Sequence, residues 1–335
     1  MHAPWPKQPD LSRRVALVAG ATRGAGRGIA RMLGAAGATV YCTGRSVAGD
    51  PSAEGRPETI DETAALINEA GGRAIAVQVD HRDGEQVAAL FERVKSEAGR
   101  LDVLVNDIGG ESQAIWDPVW KADTDKGFAF LETAVHTHIV TSRYAAPLLR
   151  AQRSGLIVEI TDGDHQGFRG ALFYDLAKTQ IIRLAYVLDQ ELQSRGVRAV
   201  AVTPGFLRSE AMLEQFGVAE ANWRDACSQA YGFRESETPC FVGRAVTALA
   251  GDAAIARKGG GVFASWNLAR EYDFDDIDGR RPDWWGFSMR ALQEIVDRGG
   301  AQGDEETWFV RAWLMQLQNQ PEHAGLLEAL RGLSI

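Results

Sequence analysis

The feature that most constrains this chain is a repeated alternation of short apolar runs with longer stretches of helical periodicity. It begins at Val15-Ala16-Leu17-Val18-Ala19, which ends in a glycine-rich turn, Gly20-Ala21-Thr22-Arg23-Gly24-Ala25-Gly26. Further apolar runs, read as strands, cover 38–43, 74–79, 101–105, 156–160, 197–202 and 261–265. Helical patterns are read at 29–34, 58–70, 86–98, 131–150 and 174–194. Uniformly apolar strands alternating with amphipathic helices predict a doubly wound parallel α/β sheet of about seven strands, covered on both faces. Such a sheet binds ligands beyond the carboxyl ends of its strands. Gly20, Asp80, Asn106, Asp162 and Pro204 each fall just after a strand, so they are expected along one edge.

Bulk properties narrow the class. The 335 residues carry a net charge of −9, which gives no basic footprint for nucleic acid or an anionic membrane. Hydrophobic residues at 45% and charged residues at 24% suit a globular chain with a sizeable core. No apolar run approaches the length of a membrane span. Met1-His2-Ala3-Pro4-Trp5-Pro6 has no apolar signal core. Cys42, Cys227 and Cys240 are scattered and odd in number, which leads to the expectation of reduced thiols and a cytoplasmic location. Residues 1–278 are read as one dinucleotide-binding and catalytic domain, and 279–335 as a helical C-terminal extension packed on it. Within that extension Met289, Leu292, Ile295 and Val296 share one helix face, and Val310, Trp313, Leu314 and Leu317 another.

Tyr174 and Lys178 stand one helical turn apart, so phenol and ammonium share a face. A nearby ammonium stabilises phenolate and draws a tyrosine down from its usual value of roughly 10, which makes a proton donor or acceptor for a carbonyl/alcohol pair. The glycine turn lets backbone amides approach a pyrophosphate at a helix N-terminus. The two features together point to hydride transfer at a dinucleotide. Strand two ends at Gly44 without the acid that holds an unphosphorylated ribose, and Arg45, Arg23 and Thr22 lie close by. Guanidinium groups favour a 2′-phosphate, so NADP(H) is expected over NAD(H).

Over roughly residues 11–270 these motifs resemble the short-chain dehydrogenase/reductase family. The glycine pattern is matched by Gly20, Gly24 and Gly26, the adenine-side aspartate by Asp80, and the Asn-Asn-Ala-Gly element by Asn106-Asp107-Ile108-Gly109. The Tyr/Lys pair is matched by Tyr174 and Lys178, and the Pro-Gly after strand six by Pro204-Gly205, with Ser209 where threonine is usual. The resemblance implies a Rossmann-type fold and a small-molecule substrate. It further implies that Asn106 and Gly109 floor the nicotinamide side, that Lys178 grips the nicotinamide ribose, and that Tyr174 gives its proton to the carbonyl oxygen. Helices 131–150 and 174–194 would build a homodimer or homotetramer. Residues from about 279 onward lie outside the resemblance.

Two positions depart from the family pattern. After strand five the chain reads Ile160-Thr161-Asp162-Gly163-Asp164-His165, so either Asp162 or Thr161 takes the place of the family's serine. Ala134 aligns where the family has an asparagine. Thr161 could supply the hydroxyl, Asp162 could be a protonated donor, Asp162 could pair with a cationic amine or iminium, or Asp162 could be structural. The expected activity is NADP(H)-dependent oxidoreduction of a carbonyl/alcohol or imine/amine. The alternatives are a redox-sensing regulator without turnover and a lyase or epimerase. Loops 110–125 and 206–239, rich in aromatics, would shape a mainly apolar pocket. No metal is expected: His136 and His138 point to different helix faces, and Asp273, Asp275, Asp276 and Asp278 lack calcium-loop spacing and read as a solvated acidic loop. Trp284, Trp285, Trp308 and Trp313 read as core of the C-terminal helices, with a substrate lid or subunit contact as the alternative.

Overall fold

A computed structural model describes residues 5–50, 55–110, 113–165 and 167–333. The N-terminal reading at residues 1–4 and part of the 109–125 loop therefore lie outside the described residues. The strands are β1 (Val15–Ala19), β2 (Thr39–Gly44), β3 (Arg73–Gln78), β4 (Val103–Asn106), β5 (Gly155–Ile160), β6 (Val197–Thr203) and β7 (Val262–Ala264). They form a single seven-stranded sheet ordered β3-β2-β1-β4-β5-β6-β7, with every neighbouring pair parallel. The order reverses beside β1, and a crevice opens there at the carboxyl ends.

Strand alternation sends Ala16 and Val18 to one face and Val15, Leu17 and Ala19 to the other. The first face is covered by α1 (Gly24–Ala35), α2 (Ile60–Glu69), α8 (Pro239–Gly251) and α9 (Ser265–Tyr272), which contribute Ile29, Ile67, Phe241 and Leu268. The second is covered by α3 (Gly84–Ala98), α5 (Thr137–Gln152) and α6 (Leu172–Leu192), through Phe91, Leu149 and Leu192. Helices α1 and α8 cross at Gly28 and Gly243, where an added Cβ on either would overlap backbone of the other helix. Asp83 caps α3 by accepting from the Glu85 and Gln86 amides, and Gly99 ends it in the left-handed region.

Three boundaries differ from the sequence reading. The first helix starts at Gly24, not Ile29, because the glycine turn leads straight into it. The helix expected at 131–150 is longer: α4 (Thr124–Leu131), capped by Asp123, runs through a π-turn at Glu132–His136 into α5. The widened turn presents Thr133 and Thr137 to the crevice. Ser265 opens α9 instead of closing β7.

Beyond the sheet, α10 (Trp284–Asp297), α11 (Asp304–Gln316) and α12 (Ala324–Arg331) enclose their own apolar cluster around Trp313, Leu292 and Ile295. Trp308 corrects the expectation that all four tryptophans are core. It is 74% exposed, on the opposite side of α11 from Val310 and Trp313. The acidic loop is not solvated throughout. Asp276 is fully buried, accepts from the Thr238 amide and hydroxyl at 2.8 and 2.5 Å, and is pushed up to about 6 by burial. Asp278 accepts at 2.8 Å from the fully buried side chain of Arg208. The loop anchors the 206–239 segment, a role that composition alone does not reveal.

Candidate active site

The crevice beyond β1 and β4 has a volume of about 760 Å³. Its first wall is built on the glycine turn. Gly20, at φ +93°, lies so close to the Asp107 carbonyl that any Cβ would overlap it, and a Cβ on Gly26 would overlap the Gly20 carbonyl. Gly20, Thr22, Arg23 and Gly24 line the crevice, whereas Gly26 is packed behind the turn. At the start of α1 the Gly24 amide donates at 2.8 Å to the Glu210 carboxylate. Arg45 lines the wall just past β2, and Gly44 passes tightly against the Thr22 hydroxyl. Asp80 also lines the crevice, but its carboxylate is held by Arg82 through contacts of 2.6 to 3.2 Å, which draw it below the usual carboxylate range. It does not cap α3; Asp83 does.

The opposite wall carries the titratable groups. Helix α6 places Tyr174 and Lys178 on the crevice, with the ammonium nitrogen 5.4 Å from the Tyr174 ring centroid. The Tyr174 hydroxyl donates to Asp162 Oδ2 at 2.9 Å. The phenol ring packs against Phe130 at 6.4 Å and Trp116 at 4.9 Å between centroids. Thr161 has a different job from the one expected. It is buried, and its hydroxyl donates at 2.9 Å to the Lys178 carbonyl, tying β5 to α6. Gly109 lines the crevice, but Asn106 does not present its side chain there. The Asn106 side chain lies fully buried below, donating to Glu159 at 2.8 Å and to the Ser142 hydroxyl at 3.0 Å. The floor is instead formed by Asp107, Ile108, Gly109 and Gly110. Pro204, Gly205 and Ser209 line the same wall, and Ser209 caps α7 (Glu210–Gln215) by accepting from the Met212 amide.

Several residues that shape the site had no motif to announce them. Glu159, on the interior strand β5, accepts from Asn106 and meets His138 Nδ1 at 2.6 Å, while His138 Nε2 reaches the Ile108 carbonyl at 3.2 Å. This buried chain sets the height of the 107–110 floor. Arg169 staples the loop after β5, donating to the Asp162 carbonyl at 2.5 Å and the His165 carbonyl at 2.8 Å. Glu237 is buried, accepts from the Gly205 amide at 2.9 Å and the Ser265 hydroxyl at 2.6 Å, and is pushed up to about 8 by burial. A carboxylic residue within an apolar run, as Glu159 is in Gly155–Ile160, is the one signal that could have found part of this set. Among the described residues no group of histidine, cysteine and acidic side chains is arranged to hold a metal, and no helix is long and apolar enough to cross a membrane.

Comparison with known proteins agrees with this architecture. The family model for short chain dehydrogenase matches residues 14–217. Over 297 residues the chain is 34% identical to dehydrogenase/reductase SDR family member 1 of Mus musculus, covering 86% of this chain and 91% of that one. A 7alpha-hydroxysteroid dehydrogenase of Clostridium sardiniense is 31% identical, over 61% of this chain and 74% of its own. Among solved structures, a putative NAD(P)-dependent gluconate 5-dehydrogenase from Beutenbergia cavernae with NADP bound at low occupancy is 29% identical. It superposes with a TM-score of 0.61 over 75% of this chain and 94% of that one. Extent and identity together place the chain in the short-chain dehydrogenase family, as an oxidoreductase of that type.

Proposed function

We propose that the crevice binds NADP(H) and that the protein transfers hydride between it and a C=O or C=N carbon of a small molecule. The observation that carries this reading is the Tyr174 hydroxyl, held 2.9 Å from Asp162 on the same crevice as Lys178 and the glycine turn. The residues fit a dinucleotide. The glycine wall leaves no room for side chains, and the Glu210 carboxylate sits at the α1 amide that a phosphate oxygen would take, an anion in the anion's place. Arg23 and Arg45 are read as the 2′-phosphate partners, supported by their place on the wall and the lack of an acid at the end of β2.

When bound, the dinucleotide supplies or removes the hydride. The chain's own residues do the rest. Lys178 is read as holding the nicotinamide ribose and keeping positive charge beside the phenol. Tyr174 gives or takes a proton at its hydroxyl oxygen. Asp162 is read as standing at the family's serine position, supported by its bond to Tyr174. Residues 107–110 would bear the nicotinamide side, and Asp80 with Arg82 would border the adenine end, supported by their place on the crevice. The catalytic unit is read as residues 1–278, with 279–335 packed on it.

A homodimer or homotetramer through α5 and α6 is supported by Ile139, Leu176, Tyr186 and Val187, exposed apolar residues on those helices. Light scattering that returns a monomer would remove it. The free thiols Cys42, Cys227 and Cys240 support a cytoplasmic location, testable by cell fractionation. The activity is tested by following NADPH loss across matched ketones, aldehydes and imines. Absence of dinucleotide binding by fluorescence titration would overturn the whole reading.

A further inference from the structure

Resting on that reading, we propose that the substrate carbon is bonded to a positively charged nitrogen, so that the protein reduces iminium ions and oxidises the corresponding amines. Asp162 places a carboxylate side chain on the crevice. Its Oδ2 accepts from the Tyr174 hydroxyl at 2.9 Å, so any atom hydrogen-bonded to Tyr174 is also a near neighbour of that carboxylate. A ketone oxygen becomes negative as hydride adds, and a carboxylate beside it opposes the reaction. An iminium nitrogen is positive at the start, neutral once hydride has added and positive again when protonated, so the same carboxylate draws the substrate in and meets no negative charge on it.

The aromatic surroundings point the same way. Trp116 is 60% exposed, lines the crevice and packs 4.9 Å from the Tyr174 ring, giving a cation an exposed indole beside one carboxylate. The nearest charges are compatible. Arg169 is committed to backbone carbonyls and to Asp175 behind the loop, and the Lys178 ammonium lies 5.4 Å from the Tyr174 ring centroid. In the step itself, hydride brings two electrons to the carbon and forms the C–H bond. The C=N π pair becomes the nitrogen lone pair, and that lone pair takes the Tyr174 proton, which solvent replaces. The reductant is the reduced nicotinamide dinucleotide of the proposed function.

The test uses permanently charged iminium ions beside neutral ketones of the same shape: 2-methyl-3,4-dihydroisoquinolinium with α-tetralone, and an N-methylpyrrolinium with cyclopentanone. Wild type should favour the iminium member in kcat/KM, and Asp162→Ser should shift that ratio toward the ketone by about 10- to 100-fold. A second readout does not need turnover. With NADP⁺ present, Trp fluorescence titration with the 2-methyl-tetrahydroisoquinolinium cation should show binding to wild type that weakens about tenfold or more in Asp162→Asn, with NADP⁺ affinity unchanged. Ketone preference in wild type, or equal cation binding by wild type and Asp162→Asn, overturns the proposal. Failure of NADP⁺ to bind at all overturns the proposed function instead.

Discussion

Where Gly20 meets Asp107, the crevice wall is backbone against backbone from two adjacent strand ends; where Gly205 meets Trp284, it is backbone against a side chain from the far end of the chain. The glycine wall, proposed above for the dinucleotide, is made of local turns whose shape follows from glycine placement. The Tyr174 wall, proposed as the reacting one, is held by long-range side chains. Glu237 binds Gly205, Arg208 binds Asp278, and Trp284 packs on Phe206 at 5.7 Å while Trp285 packs on His165 at 5.5 Å. The two walls meet where Glu210 accepts from the Gly24 amide and pairs with Arg27. Among the described residues the C-terminal helices buttress the second, through both the 163–170 loop and the 205–233 segment.

The sharpest way to break this contrast is at Tyr174. Tyr174→Phe should lower kcat by about 10²- to 10⁴-fold while NADPH affinity and the melting temperature stay near wild type. Steady-state kinetics beside a binding titration checks it, and a matching loss of NADPH affinity would mean the two walls are coupled. Trp313→Ala comes next. It empties the centre of the C-terminal cluster and should cost about 3–5 kcal/mol by urea denaturation. Because those helices support the reacting wall, substrate KM should rise more than the dissociation constant for NADPH.

Glu237 gives a pH signature. Its carboxyl, normally near 4.5, is held up to about 8 by burial. The stability it contributes is complete below the lower value and is lost as pH rises through the upper one. Wild type should therefore lose ground to Glu237→Gln by at most about 1.4 kcal/mol per pH unit between roughly pH 5 and 8. Urea melts at three pH values across that window read it directly, and a difference independent of pH would show that Glu237 is charged in the fold. The smallest effect belongs to the dinucleotide wall: Arg45→Asp should cut the kcat/KM preference for NADPH over NADH by about tenfold, with substrate KM unchanged.

The layering of the fold was legible because each strand is apolar throughout and each glycine or acid falls at its end. The placement of Tyr174, Lys178, Gly20 and Pro204 on one crevice follows from that pattern, since parallel strands share one carboxyl edge. Thr161 and Asp162 could not be told apart by counting, because neighbouring residues after a strand point to opposite sides. Only the packing of β5 against α6 turns the threonine to the Lys178 carbonyl and leaves the carboxylate facing the phenol. The motif predicts Asn106 in the nicotinamide-side floor, yet Glu159, distant in sequence, draws its side chain beneath that floor.

By itself the sequence determined the sheet, its covering helices and the chemistry gathered at their common edge, because periodicity and glycine act over a few residues at a time. Tertiary structure alone decided that Asp276 is buried, that Glu237 grips Gly205 and that the last three helices support one wall of the crevice. Those choices depend on which distant side chains can satisfy a buried polar group. That pairing has no period along the chain.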